Sequence, residues 1–258
     1  MPKHLYGVLG DVHLPWCDLR NLTLALEVMQ DQGVQTLILN GDIGDFYAVN
    51  AHGPKHPDIK TTLDDEIYSI HQFLDRVQKM FPEIIFVAGN HEYRLDRFVM
   101  ANCPVFWNHL TIEKMLDLEK RNMVYIPYNE RYQIGNAQVF AQHSPPSYSQ
   151  NAATTSIMKK MDQDHIWGCT HRPDISFRKG SSGKIYTSVM NGWFGSTGVF
   201  NQMKRDMPEN KRVFSFMKNH DQWGCSFSIV GVKDELHWID HIVIKDYSCI
   251  IGGNLYEG

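Results

Sequence analysis

The chain contains no Cys-x-x-Cys pair, and its five cysteines (17, 103, 169, 225 and 249) are an odd number without paired spacing. A disulfide framework is excluded as the source of stability, and a reducing compartment is expected. No apolar run approaches the ~20 residues that a membrane helix needs, so no membrane partner is expected. Met1-Pro2-Lys3-His4 runs straight into the first apolar stretch, without the regions of a signal peptide. The expectation is a cytoplasmic protein. Positive charge is not in excess: the formal net charge is -4, which gives no electrostatic ground for tight binding to long duplex DNA. Internal repeats, low-complexity tracts and a clean interdomain linker are also absent. With 43% hydrophobic and 21% charged residues, the 258-residue chain reads as one α/β domain over 1–258 with a sizeable core.

What is present is a repeated pattern. The apolar run Ile84 to Ala88 reads as a buried strand, and Gly89-Asn90-His91-Glu92 follows it at once. Leu5 to Leu9 leads to Gly10-Asp11-Val12-His13, and Thr36 to Leu39 leads to Asn40-Gly41-Asp42-Ile43-Gly44-Asp45. Ala137 to Ala141 leads to Gln142-His143, and His165-Ile166-Trp167 leads to Gly168-Cys169-Thr170-His171. Five strand ends each deliver Asp, Asn, His or Cys. Polar groups at the carboxyl ends of buried strands suit a site held by a rigid scaffold better than a core.

Between these strands the spacing predicts a helix from about Leu19 to Gln32, capped by Asp18 and ended by Gly33. A second runs from Thr62 or Asp64 to about Phe81, and Pro82 stops it. Further helices are predicted at 93–100, 111–120 and 150–162. After Met123 the period shortens towards two. Strands are predicted at 123–126, 131–134, 137–142, 165–168, 174–178 and 184–189, and two long β runs near 223–232 and 235–245 close the chain. Residues 46–60 read as an irregular loop and 201–221 as a polar insertion.

A dinuclear metal site needs several hard or borderline ligands and a carboxylate able to bridge. Asp11 and His13, two apart, would project the same way from an extended segment. Asp42, alone at the tip of strand two, is the natural bridge. Asn90 offers a carbonyl oxygen, and His143 and His171 complete the set. Each taken singly has a plainer reading: Asp after Gly is common in turns, and a lone His is more often a satisfied partner than a ligand. The combination makes the plainer reading improbable.

The series Asp11-x-His13, Gly41-Asp42-x-x-Asp45, Gly89-Asn90-His91-Glu92, His143 and Gly168-Cys169-Thr170-His171 resembles the calcineurin-like metallophosphoesterase superfamily, with five motifs in the family's order. The resemblance implies a four-layer α/β/β/α sandwich of two mixed sheets. It implies two divalent metal ions, Mn2+ foremost, with Fe, Zn, Ni or Mg as alternatives. Asp11, His13, Asp42 and His171 would hold the first; Asp42, Asn90, His143 and position 169 the second. His91 would face the substrate and donate a proton or hydrogen bond towards the leaving group, oriented by Asp45. The implied activity is hydrolysis of a phosphoester by a metal-bridging hydroxide.

Cys169 departs from the family, whose members mostly carry His there. Three readings stand: a thiolate ligand favouring a softer ion, a bystander with water in its place, or a weak second site filled only with substrate. Arg94, Arg97 and Arg172 read either as solvated faces or as clamps on phosphate oxygens. Trp193, in Asn191-Gly192-Trp193-Phe194-Gly195, reads either as a stacking surface for a base or sugar or as a buried aromatic. Trp107, Trp167, Trp223 and Trp238 read as core or edge packing, and His52 and His56 as residues of a solvated loop. The arginines and loop aromatics lean the substrate towards a nucleotide or single-stranded nucleic-acid phosphodiester. The alternative is a non-catalytic binding module of the same fold with an impaired second metal site.

Overall fold

The structure is a computed structural model that describes residues 3–50, 61–146, 153–159, 161–196 and 222–258. The expected loop residues 51–60, with His52 and His56, and the insertion 201–221 lie outside the described residues.

The first half alternates strands and helices. β1 (His4–Leu9), β2 (Thr36–Asn40), β3 (Glu83–Val87) and β4 (Val124–Ile126) pair in parallel in that order. The helix α1 (Leu19–Asp31) crosses from β1 to β2. Its N-cap is Asp18, whose carboxylate accepts from Arg20 N at 3.1 Å and Asn21 N at 3.2 Å. Gly33 supplies the positive φ, +77°, that turns the chain out of it. The helix α2 (Leu63–Met80) opens with a reciprocal capping box between Thr62 and Asp65. The helix α3 (Glu92–Asn102) follows β3, and a 3-10 turn over Pro104–His109 and the short α4 (Ile112–Met115) precede β4.

The second half is mostly strand: β5 (Tyr132–Gln133), β6 (Val139–Gln142), α5 (Ala153–Met158), β7 (Asp164–Trp167), β8 (Asp174–Lys179), β9 (Ile185–Met190), β10 (Cys225–Lys233), β11 (Leu236–Ile244), β12 (Ser248–Ile251) and β13 (Asn254–Glu257). β10 and β11 return to the first sheet, giving the order β11-β10-β1-β2-β3-β4. The second sheet is β5-β6-β7-β9-β8. Both sheets are mixed.

The strand period of two sorts side chains onto two faces. Val8, Ile38, Ile85 and Val87 of the first sheet meet Val139, Ala141, Ile166 and Val189 of the second in one buried cluster. Leu9, Leu37, Leu39 and Phe86 point the other way and pack under Leu22, Leu26, Met29, Ile70, Phe73 and Leu74 of α1 and α2. Every residue of β2 is therefore buried, as expected for a parallel strand covered on both faces. On the far side Ala153 and Ile157 of α5 cover Trp167 and Met190. The four layers are those expected, although among the described residues the fourth is this one short helix.

Three elements differ from expectation. The helix foreseen at 111–120 stops at Met115, and Asp117 (φ +53°) and Asn122 (φ +55°) carry turn conformations. The helix foreseen over 150–162 is seen as Ala153–Met158, within the described residues. The chain closes on a hairpin, β12–β13, beyond the two long strands; Gly252 and Gly253, at φ +56° and +87°, make its turn. Among the described residues no helix is long and apolar enough to cross a membrane.

Candidate metal centre

The five polar strand ends converge. The loop after β1 runs beside the loop after β2: Asp11 N donates to Gly41 O at 2.9 Å, His13 N to Asp42 O at 3.0 Å and Leu14 N to Ile43 O at 2.9 Å. Asp11, His13, Asp42, Cys169 and His171 all take left-handed backbone conformations, with φ of +52°, +56°, +52°, +73° and +62°. Non-glycine residues adopt these only where the surroundings enforce them, and such strain gathers at functional sites. The extended segment foreseen for Asp11–His13 is thus replaced by two left-handed turns, which still bring both side chains to one place.

Glu92 fastens these loops. Fully buried, its carboxylate accepts from Gly89 N and Asp42 N at 2.8 Å each, from Ile43 N at 2.8 Å and from Gly44 N at 3.2 Å. Burial, with the Asp42 charge adding to it, pushes the Glu92 carboxyl up to about 7. Gly89 and Gly168 are required by close approach: a Cβ on Gly89 would lie 2.2 Å from Asp42 Oδ1, and one on Gly168 2.6 Å from Asp11 Oδ2.

Among the described residues three groups of donor atoms lie close together, and two of them share Asp11. In one, the ligand atoms of Asp11, His13 and His171 all lie within 4.8 Å of one another; in the other, so do those of Asp11, Asp42 and His143. Asp11 is common to these two, the place expected of Asp42, which enters only the second; the third group is His13, Asp45 and His91. His171 Nε2 is 3.2 Å from Asp11 Oδ1 and 3.1 Å from His13 Nε2. His143 Nε2 is 3.2 Å from Asp42 Oδ2 and 3.2 Å from Asn90 Oδ1.

The hydrogen bonds behind these rings test whether a cation fits. His13 Nδ1 is 3.1 Å from Asp45 Oδ2, and His143 Nδ1 is 2.7 Å from Asn40 O. Both partners accept, so each Nδ1 carries the proton and the neutral ring turns a lone pair at Nε2 towards oxygen or nitrogen acceptors. Lone pairs facing carboxylates are tolerable only around a positive charge. Without a cation the rings themselves supply that positive charge, drawn by the same carboxylates. Burial acts against the charged form of His13, yet hydrogen bonds to Asp11 and Asp45 raise it to about 10. His143 is raised against its burial by the Asp42 and Asp11 charges. Burial alone would raise Asp11, but the His143 charge and the bonds with His13 and His171 hold it below the usual carboxylate range. Asp42 is likewise depressed, by the His143 and His91 charges against burial. The donor set of carboxylate, imidazole and amide oxygen suits divalent cations, the cofactors that the family uses.

Asp45 and His91 differ from expectation. The Asp45 carboxylate is 3.7 Å from His91 Nδ1 and instead bonds His13. His91 Nδ1 donates at 2.8 Å to the backbone carbonyl of Asp45, and His91 N donates to Asp42 Oδ1 at 2.8 Å. Its Nε2 accepts from Arg94 Nη2 at 2.7 Å, while Arg94 Nη1 donates to Asp45 O at 2.9 Å. Burial, followed by the Arg94 and His13 charges and opposed by Asp42, lowers His91 to about 3. Arg94 is thus tucked against the site, 16% exposed, and does not lie on a solvated face; Arg97 does.

Cys169 lies with its Sγ 3.3 Å from Asn90 Oδ1, and its backbone N donates to both Asp11 carboxylate oxygens at 3.2 and 3.0 Å. Arg172 is half-buried. Trp193 is 4% exposed and stacked on His171, the buried-aromatic alternative. Trp223, foreseen as plain packing, meets the His171 ring edge-on at 4.3 Å between centroids. Glu66, which sequence reasoning passed over, is fully buried and accepts from Tyr47 N at 2.7 Å and Ala48 N at 3.2 Å. Only its acidic residue type within an apolar helical stripe, facing a loop rather than water, could have flagged it.

Residues 5–175 match the family model described as calcineurin-like phosphoesterase. Comparison with curated proteins finds no match. Among solved structures the chain is similar to Vps29 of Entamoeba histolytica complexed with Zn+2, at 14% identity and a TM-score of 0.47, over 95% of this chain and 96% of that one. It is similar to a dimetal phosphatase from Danio rerio at 11% identity and a TM-score of 0.44, over 93% and 96% of the two chains. It is also similar to Vps29 of Chaetomium thermophilum complexed with a cyclic peptide, at 11% identity and a TM-score of 0.47, over 94% and 88%. With five motifs on one set of strand ends and residues 5–175 matched, the chain belongs to the calcineurin-like phosphoesterase family.

Proposed function

We propose that this protein hydrolyses a phosphoester at a pair of divalent cations, Mn2+ foremost, and that its substrate is a nucleotide or nucleic-acid phosphodiester. The observation that carries the reading is the pair of inward-facing donor sets joined by Asp11, with Arg94 and His91 beside Asp42. Asp11, His13 and His171 would hold one cation, and Asp42, Asn90 and His143 the other. Asp11 is shared and Asp42 adjacent, with Cys169 at the edge of the second set. Divalent cations in these places supply Lewis acidity, lowering the pKa of water and offsetting phosphoryl charge.

The chain's own residues do the rest. Asp45 holds the His13 tautomer through its carboxylate, and Asn40 holds that of His143. Glu92 fixes the spacing of the Asp42 and Asn90 loops. Arg94 brings a fixed cation to the mouth of the site, suited to phosphoryl oxygens. The lean towards a nucleotide rests on Arg94, because Trp193 is packed beneath His171 and is not available for stacking.

Hydrolysis of a bis-aryl phosphodiester and of an aryl phosphomonoester, each with added Mn2+, tests the reading. The diester is expected to turn over faster. Preference for the monoester would keep the hydrolase and overturn the substrate class. No turnover with any divalent ion would favour a non-catalytic binding module that works through this fold in the cytoplasm.

A further inference from the structure

The loops after β1 and β2 run on past the donor atoms and end in two aromatic rings. Leu14 and Gly44 form a parallel bridge, and Asp45 N donates to Leu14 O at 3.0 Å. Beyond this ribbon the chain sorts its apolar side chains. Leu14, Cys17, Phe46 and Val49 join the core under the helices. Trp16 and Tyr47, interleaved with them, belong to none of the buried clusters among the described residues. Both residues are half-buried, and their rings meet edge to face, 5.3 Å between centroids at 83°. Such a contact engages one face of one ring only, so the pair itself leaves room for a further planar group. The backbones are fixed. Trp16 N donates to His13 O and Trp16 O accepts from Ser196 N, both at 2.8 Å, and Tyr47 N donates to the Glu66 carboxylate at 2.7 Å. Two large rings kept out of the core on a rigid backbone suit a ligand better than packing. The pair also adjoins the site: His13, three residues before Trp16, is a candidate ligand, and Arg94 Nη1 donates at 2.9 Å to Asp45 O, two residues before Tyr47.

We propose that Trp16 and Tyr47 form the platform on which the base of a nucleotide substrate stacks while its phosphate lies at the donor sets. The inference rests on the hydrolase reading above and assigns residues to the organic part of that substrate. Trp193, packed beneath His171, does not compete for this role. Trp16 supplies the larger π face, and Tyr47, set at right angles to it, fixes its orientation. Every base has a π face, so the platform takes bases as a class and does not read their hydrogen-bonding edges. The two loops thereby serve both halves of the substrate, with Asp11, His13 and Asp42 for the phosphate end and the rings for the base.

The test compares adenosine 5'-monophosphate with ribose 5-phosphate, which lacks the base, by calorimetry on the full chain loaded with Mn2+. The wild type is expected to bind the nucleotide about tenfold more tightly or better, the scale of one base stacked on an aromatic ring. In Trp16→Leu the ratio of the two affinities should fall towards one. Trp16→Phe, which keeps a smaller ring, should retain most of the preference, and Tyr47→Leu should lose part of it. The fluorescence of 2-aminopurine riboside 5'-monophosphate should be quenched on binding to the wild type and less so to Trp16→Leu. If Trp16→Leu does not fold, the quenching by the wild type and the ratio in Tyr47→Leu decide. Equal affinities for the two probes in the wild type would overturn the proposal whatever esters the protein cleaves, as would binding of neither. An equal loss for both probes in Trp16→Leu would mark the pair as structural and overturn it too. If the preference and its loss are seen but no ester is turned over, the hydrolase reading fails and the platform stands.

Discussion

Asp45 reaches past His91 to His13: its Oδ2 lies 3.1 Å from His13 Nδ1 and 3.7 Å from His91 Nδ1. A carboxylate behind a metal-directed imidazole raises its basicity and fixes its tautomer. Asp45→Asn should therefore lower metal affinity at the Asp11–His13–His171 set by about 10- to 100-fold. The Arg94–His91 contact, which uses the backbone of Asp45, should survive. Calorimetric titration with Mn2+ reads the first effect, and an unaltered dissociation constant would refute it.

Glu92 binds four backbone N–H groups from two loops in a fully buried place. Glu92→Gln turns one acceptor into a donor facing donors. An unsatisfied buried group costs about 1–3 kcal/mol, so a loss on the order of 2–3 kcal/mol is expected in urea unfolding of the chelated protein. A loss below about 0.5 kcal/mol would show that the clamp is not needed.

Glu66 gives a pH signature away from the ligands. Burial raises its carboxyl from 4.5 to about 7, partly offset by bonds from Tyr47 N and Ala48 N. Below pH 4.5 the group is protonated in both folded and unfolded chains and contributes no slope. Between 4.5 and about 7 the unfolded chain releases the proton while the folded one retains it, so stability falls as pH rises. The fall is on the order of 3 kcal/mol, complete above the folded value. Glu66→Gln should remove that part of the slope. Equal slopes for wild type and variant, in denaturant titrations with chelator across this range, would count against it.

Cys169→His should tighten the second cation, since imidazole replaces a thiol that lies against Asn90. Calorimetry showing unchanged affinity and stoichiometry would sink the idea.

Much of this arrangement was legible in the chain. Each strand end is a local event, an apolar run broken by Gly and followed by Asp, Asn or His, and the parallel β1–β4 order follows from alternation with helices. What was not legible depends on atoms distant in sequence or on backbone groups. Asp45 and His91 are 46 residues apart, and no side-chain pattern tells that a carbonyl, not the carboxylate, meets the imidazole. Glu92 looks like one more polar motif residue until four N–H groups from two loops surround it. Trp193 could stack outward or pack inward; it packs inward, its backbone N–H on Gly224 O at 2.7 Å and its ring stacked on His171, through partners distant in sequence. The β12–β13 hairpin was legible but overlooked: Gly252-Gly253 between Ile250-Ile251 and Asn254-Leu255-Tyr256 is a hairpin signal.

The most direct check is the number of Mn2+ ions bound by the chelator-stripped, reloaded wild type and by Asp11→Asn, measured side by side by calorimetry and elemental analysis. The account predicts two ions per chain in the wild type and weakened binding of both in Asp11→Asn, because the two donor sets share that carboxylate. No bound ion in the wild type, or one ion lost and the other held at full affinity in the variant, would contradict it.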